Sequence, residues 1–420
     1  MANSILTPTQ ITREALRVLH QKALFIGSIN RQYDDRFAQE GAKIGTTLNI
    51  RMPSKYTVRT GATLTAQDHI ERSTPLSVST QYGVDVSFTS VELTMSLDDF
   101  SKRIIQPAMA QLAAKIDGDC MAEAYKLVSN YTNATTNAVL TYKYFHQGGA
   151  RLTDNLAPVG DRTALLSPAS SVEFFDATKA LFHASSNLAE QFREGMLLRT
   201  GGFEVGESTL TPGHTTGSMA GSPLTNGAAL GTSTTANSWV SQTTLSVDGA
   251  TSTGTVKAGE IITLSGVYAV HPETKVNTGK LKTFVCQANV TMTTSATAYD
   301  VVVKPGMIYG VGNAYQNCVL SGVSDSDGLT VTRIGAASTA FGQDLQFHKD
   351  AFVFATADLI DVSQYGAWGA RQTMDGISMR IAKQYAISSD TLPCRLDVLW
   401  GFGGLYPELA NRHMYTASLV

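Results

Sequence analysis

The sequence predicts an α+β body interrupted by a small β-barrel or sandwich. Three observations carry this. Short runs of strict apolar/polar alternation lie near the start and end of the chain, and one long stretch repeats apolar residues at spacings of three and four. Between them, a Ser-, Thr- and Gly-rich region holds several short apolar runs bounded by turn residues.

The elements follow in order. Ile11, Ala15, Leu16, Val18, Leu19 and Ala23 have a loose helical period with Thr9 or Thr12 as cap, which reads as an amphipathic N-terminal arm. From Leu48 the period is two: Leu48, Ile50 and Met52 alternate with polar residues, as do Val84, Val86 and Phe88, and both runs are expected as strands. Between them Pro53 to Gly83 is polar and Thr-rich, long enough for a projecting hairpin. Ser96-Leu-Asp-Asp99 has the form of a capping box, and Ile105, Met109, Leu112, Ile116, Cys120, Ala124 and Leu127 form one helical stripe, about 45 Å long, with a kink or late start at Pro107. Ala164-Leu-Leu166 reads as a buried strand stopped by Pro168, followed by a helix through Val172, Phe175, Leu181 and Phe182.

Composition changes after Gly206. Between Ser208 and Val256 the only formal charge is Asp248. Apolar runs at Glu260–Leu264, Lys282–Gln287, Tyr299–Val303 and Gly328–Thr332 place the barrel or sandwich at 211–342. Phe352-Val-Phe-Ala-Thr and Leu396-Asp-Val-Leu-Trp400 are strands of the returning body, so the small domain is an insertion.

The 420 residues suggest two to three domains. Lys plus Arg is 32 against 35 for Asp plus Glu, a net charge of −3, which excludes a basic field for gripping nucleic acid. Only 16% of residues are charged, against about 25% in ordinary soluble domains. Either Ser, Thr and Gly in loops or surface hidden in interfaces accounts for that deficit, and the second points to an obligate oligomer. No basic and apolar leader opens the chain and no apolar run of about eighteen residues occurs, so a protein made in the cytosol is expected.

Chemistry-bearing motifs fail on inspection. Cys120, Cys286, Cys318 and Cys394 are far apart and read as buried thiols. There is no G-x-S-x-G, no H-E-x-x-H, and the eight His are scattered. The Gly-rich runs at Gly310–Tyr315 and Gly401–Tyr406 lack the last Gly of a dinucleotide fingerprint and are expected as turns; Asp325-Ser-Asp327-Gly328 lacks the distal Glu of a calcium loop. No catalytic, cofactor-binding or metal residue is assigned.

Four stretches together resemble one family, the major coat proteins of tailed bacteriophages with the Hong Kong 97-type fold, and most nearly those of short-tailed phages that carry an inserted β-barrel. They are Phe192-Arg-Glu-Gly195 with Gly202-Phe-Glu204, Val256–Val267, Ala355-Thr-Ala-Asp-Leu-Ile360, and Cys394–Gly401 with Pro407-Glu408. The resemblance implies an N-terminal arm (1–47), an extended loop (48–95), a spine helix with peripheral domain and the start of the axial domain (96–210), the inserted barrel (211–342), and the rest of the axial and peripheral domains with a C-terminal strand (343–420). It implies a structural protein, not an enzyme, that self-assembles as hexamers and pentamers of an icosahedral shell around double-stranded DNA, without sequence-specific binding. Scaffolding protein, a portal at one vertex, assembly in the host bacterial cytoplasm, and no membrane or cofactor complete the expectation. Lys55, Arg59, Asp68 and Glu71 of the extended loop are candidate subunit contacts, and Glu14 and Arg17 of the arm candidate scaffold contacts. Relatives extend an acidic loop from the barrel to an adjacent capsomer; here Thr225 to Trp239 contains no Asp or Glu, so either another loop takes that role or the contact is apolar and polar-neutral. Alternative readings are a tail or decoration protein with a glycan-binding β module, and an encapsulin-like compartment shell.

Overall fold

The computed structural model describes residues 12–17, 19, 23–31, 47–64, 66–67, 69, 71–89, 106–134, 140–178, 199–227, 230, 238–250, 254–294, 297–323, 327–360, 362–365, 368–374, 377–387 and 391–416. Its contacts divide the chain into two units: Met1–Ile50, Thr74–Met121 and Phe352–Leu405 form the first, and Arg51–Ser73, Ala122–Ala351 and Tyr406–Val420 the second.

Residues 12–17 are helical, with Thr12, Ala15, Leu16 and Leu19 buried and Arg13 and Arg17 exposed, as the period requires. A short helix α1 (Leu24–Ser28) follows. Its leading N–H groups lack helical partners, and a buried carboxylate takes them: Asp117 accepts from Phe25 at 3.2 Å and Ile26 at 3.0 Å. Burial raises Asp117 to about 6 in spite of these donors, which favour the ionised form.

Next come β1 (Thr47–Met52), β2 (Arg72–Ser77), β3 (Thr80–Thr89) and α2 (Gln106–Leu127). β1 pairs with β2, so the return strand of the hairpin is β2 and not the alternating run at 84–88, which joins another sheet. β2 is cryptic in the sequence because Pro75 and three hydroxyl residues fill it, yet Arg72 and Leu76 are buried along one face. Helix α2 buries the predicted stripe at Met109, Leu112, Ile116, Cys120 and Ala124. Its 22 residues span about 33 Å; the Ser96–Asp99 capping box and Ile105 lie outside the described residues.

The second unit continues with β4 (Tyr131–Thr132), α3 (Tyr142–Asp154), β5 (Arg162–Leu166), α4 (Pro168–Thr178), β6 (Arg199–Thr200), β7 (Phe203–Glu207) and β8 (Gly213–Thr215). α3 has no strong sequence signal. Thr141 caps it by accepting the Tyr144 N–H at 3.3 Å, and Phe145 and Leu152 pack with Ala164, Leu166, Phe174 and Phe203. Leu181 and Phe182 of the helix expected after Pro168 fall outside the described residues, as does Phe192-Arg-Glu-Gly195.

A strand-rich stretch follows: β9 (Gly221–Thr225), β10 (Thr243–Ala250), β11 (Gly254–Val256), β12 (Ile261–Val270), β13 (Asn277–Cys286), β14 (Val290–Met292), β15 (Tyr299–Lys304), β16 (Cys318–Leu320) and β17 (Val331–Arg333). Pairing runs β12–β13–β15–β10–β9, with β16 and β17 both on β12 and β11 paired to β14. β9 then meets residues 328–330. Thr225 donates to Leu329 O at 2.9 Å, Gly328 donates to Thr225 O at 2.8 Å, and Leu224 bridges Thr330. The hydrogen-bonded path thus returns to the segment leading into β17. Inward residues Leu245, Val247, Ile262, Leu264, Phe284, Val301 and Val303 form an apolar cluster whose described members run from Met219 to Val331.

Five strands complete the chain before its last: β18 (Ala340–His348), β19 (Phe352–Ala357), β20 (Trp368–Met374), β21 (Ile377–Lys383) and β22 (Thr391–Gly404); β23 (Ala410–Tyr415) closes it. In the second unit the sheet order is β4-β23-β18-β5-β7-β6, with β8 on β18 through Ala340↔Thr215, Phe341↔His214 and Gly342↔Gly213. In the first unit β22 is the central strand. β3 lies along one edge from Thr391↔Thr89 to Trp400↔Thr80, and β21 and then β19 share the other. The turn expected at Gly401–Tyr406 is therefore strand through Gly404. Glycine is needed there because a Cβ on Gly401 would lie 2.2 Å from the Ser77 carbonyl oxygen.

Candidate assembly interface

The loop between β1 and β2 is organised by its own side chains. The Gln67 amide clasps Thr57, accepting its N–H at 2.9 Å and donating to its carbonyl at 2.5 Å. Tyr56 Oη meets His69 Nδ1 at 2.7 Å with the rings stacked. Arg59 donates to the carbonyl of Gly61, whose φ of +94° suits glycine alone in this turn. Glu71 pairs with Arg51 at 3.4 Å and lies 3.7 Å from His69.

The same loop leaves apolar side chains in solvent. Val58 is 97% exposed, Leu64 82% and Tyr56 60%. A loop that holds its shape by internal hydrogen bonds while displaying valine and leucine has the make-up of a contact surface.

The four loop residues singled out by sequence do not converge. Arg59 serves its own turn, Glu71 braces β1, and Asp68 lies outside the described residues. Lys55 points elsewhere: its backbone N–H donates to Tyr315 Oη at 3.2 Å, its ammonium is half-buried, and burial followed by the charge of Arg72 pushes its pKa down. In the arm, Glu14 and Arg17 pair with each other through two bonds, Nε to Oε2 at 3.0 Å and Nη2 to Oε1 at 2.7 Å. The Arg17 hydrogen bond holds Glu14 below its usual range.

The sequence reading missed a buried polar joint within the second unit. Glu260, at the head of β12, accepts the Lys257 N–H at 2.8 Å and lies 3.4 Å from Arg333 Nε. Arg412 of β23, fully buried, donates to Gly259 O at 2.8 Å and sits 5.7 Å from the Tyr125 ring centroid. Ile261 packs with Phe341 and Met414. Together these fix the strand path of 221–333 to the sheet around β18. A cleft of about 320 Å³ opens beside α3, where Lys280 of β13 reaches Asp154 at 2.7 Å. The cysteines are buried and free, with Cys318 and Cys394 pushed up to about 11 by burial. Among the described residues no three His, Cys, Asp or Glu come together as metal ligands, and no described helix is long and apolar enough to cross a membrane.

The sequence model of the P22 coat protein family (gene protein 5) matches residues 23–415. No curated protein matches the sequence. Solved structures similar to this one include one from Mycobacterium phage Che8, at 12% identity over 94% of this chain and 92% of that one, with a TM-score of 0.44. The asymmetric unit of the bacteriophage PhiM1 mature capsid aligns at 9% identity over 88% and 82%, TM-score 0.41. The CUS-3 coat protein I-domain aligns at 17% identity over 29% of this chain and 98% of its own, TM-score 0.18.

Proposed function

We propose, from the premise that this chain belongs to the P22 coat protein family, an icosahedral shell of hexamers and pentamers around double-stranded DNA as its working state. The chain is a major capsid protein of a tailed phage, and its copies form the shell of the virion. In the proposed arrangement the Hong Kong 97-type parts follow the order read from the sequence. The loop from β1 to β2 lies across a neighbouring copy, α2 is the spine, and the returning strand path is an inserted β-barrel. The barrel, placed at 211–342, includes β8 and the first residues of β18, whose mutual pairing anchors its two ends in the surrounding sheet. Assembly takes place in the host cytoplasm with scaffolding protein, to which the arm carrying Glu14 and Arg17 is offered, and with a portal at one vertex. Lys55, Arg59, Asp68 and Glu71 lie in or beside the contact with the neighbour. The role is structural and no catalytic residue is assigned.

One observation carries the loop's part in this reading: Val58 and Leu64 are 97% and 82% exposed on a loop braced by the Gln67–Thr57 hydrogen bonds. Covering each is worth about 1.5–3 kcal/mol per contact, repeated for every copy. Negative-stain electron microscopy with light scattering on the purified protein, alone and with its scaffold, tests the proposal. Closed shells are expected; persistent monomers or trimers in both conditions would refute it.

A further inference from the structure

At the foot of the same loop, cations gather that no described acid balances. Arg72 of β2 is buried, with its guanidinium carbon 5.6 Å from the ring centre of Tyr315 and 5.7 Å from that of Tyr406. Its Nε has no hydrogen-bond partner among the described residues. Lys55 hangs beside it by the backbone bond to Tyr315 Oη. Lys275 reaches the next residue along, donating to Gln316 O at 3.0 Å. Lys282, on β13, completes the set: its charge and that of Arg72 both bear on Lys55, and Lys55 bears in turn on Lys275. The acid felt by both Lys55 and Lys282 is Glu408, which is exposed.

Like charges brought together in a half-buried recess repel, and burial strips the water that would screen them. Burial pushes Lys275 down to about 8 and lowers Lys282. A fold that accepts this cost has a use for the positive field or a counter-ion to fill it. The geometry suits an oxyanion: a buried guanidinium beside two phenol rings, its Nε without a partner among the described residues, offers that N–H to an acceptor, and Lys55 lies next to it. A side-chain carboxylate brings one negative charge, whereas inorganic phosphate brings about two and successive phosphodiesters bring one each in close sequence, nearer the local excess.

We propose that the recess formed by Lys55, Arg72, Lys275 and Lys282 against Tyr315 and Tyr406 is a phosphate-binding site. It takes either free phosphate and polyphosphate or the phosphodiester backbone of nucleic acid. It does not depend on how the shell is arranged, since every group that forms it belongs to one chain.

The test uses the soluble full-length chain, with calorimetric titration of inorganic pyrophosphate and, separately, of a short duplex DNA. Lys55→Gln and Lys275→Gln are the variants, because both side chains are half-exposed and their loss leaves the core intact; Lys143→Gln, on the exposed face of α3, is the control. Thermal midpoints of all three without ligand are expected to match the parent. Pyrophosphate is expected to bind the parent and the control alike and each recess variant roughly tenfold more weakly, the effect of one charge-assisted hydrogen bond. Duplex DNA that competes with pyrophosphate and loses affinity in the same variants assigns the site to the nucleic-acid backbone; duplex that leaves pyrophosphate binding untouched assigns it to free phosphates. Two results overturn the proposal. One is no pyrophosphate binding at millimolar concentration, including the case in which the two variants lose self-association instead, which would mark a carboxylate of a second copy as occupant. The other is binding that survives both lysine variants.

Discussion

Residues 221–333 and residues 53–71 both belong to the second unit, and they treat apolar side chains in opposite ways. The strand path gathers Leu245, Ile262, Phe284 and Val303 into a buried cluster whose described members run from Met219 to Val331. The loop has too few apolar residues for a core and leaves Val58 and Leu64 at 97% and 82% exposure. Alternation on strands lets one face become an interior. A loop stitched by Gln67, Tyr56 and Arg59 has only an outside, and in the proposed shell its apolar groups find cover on another copy. The first excursion is a finished structure and the second half of one.

The largest expected effect breaks the second half. Replacing Val58 and Leu64 by Asp removes about 3–6 kcal/mol per contact in the proposed shell and adds charge that must be desolvated, so shells are expected to vanish in light scattering while the subunit's melting midpoint stays unchanged. A mutant that melts early would assign these side chains to the subunit's own stability.

The first half is broken from inside. Phe284→Ala opens a hole in the apolar cluster and is expected to cost about 3–5 kcal/mol in denaturant unfolding. The segment 211–342 expressed alone is expected to be β-rich by circular dichroism and to unfold cooperatively, and a random-coil spectrum would refute its independence.

A smaller, pH-dependent effect comes from the buried titratable groups. His413 and His214 are buried in the second unit, and burial lowers them to about 3 and about 4. Their unfolded forms bind protons first, so the stability they support is complete above pH about 6.5 and is lost as pH falls toward 4. Asp344, paired in register with His413, is raised by burial to about 7 and acts oppositely, its contribution being complete below about 4 and lost as pH rises through 7. Asp117, raised by burial to about 6, acts in the same sense as Asp344, so the two carboxylates largely offset the two histidines and a shallow slope of stability against pH is expected between about 4 and 6. His413→Gln removes one histidine from that balance and should lower the slope by up to about 1.4 kcal/mol per pH unit in chemical denaturation, turning it toward greater stability in acid. The smallest effect is at the arm: Glu14→Gln breaks an exposed pair, should leave the melting midpoint unchanged, and should reduce scaffold-dependent assembly severalfold.

What the sequence revealed tracks how local each cause is. β1, β5, β12, β13 and β15 were legible because alternation or a buried apolar run is written into the strand itself, and α2 because its stripe repeats over several turns. β2 was hidden by Pro75 and its hydroxyl residues; what makes it a strand is pairing with β1. α3 was hidden by Gly148 and Gly149, of which Gly148 is fixed by contact with a residue far along the chain: a Cβ there would fall 1.6 Å from Gln346 Oε1. The loop was legible as a polar excursion, but its apolar tips were not, because Val58 and Leu64 matter only through exposure. The recess around Arg72 had no sequence signal, since Tyr315 and Tyr406 reach it from distant parts of the chain.

Hydrogen–deuterium exchange on free subunits and on assembled shells compares the two excursions within one experiment. Peptides covering 53–64 are expected to exchange rapidly in free subunits and to gain strong protection in shells, while peptides covering β12 and β13 stay equally protected in both. A loop that exchanges alike in both states, or strands of 261–286 that become protected only on assembly, would contradict the division into a finished and an unfinished half.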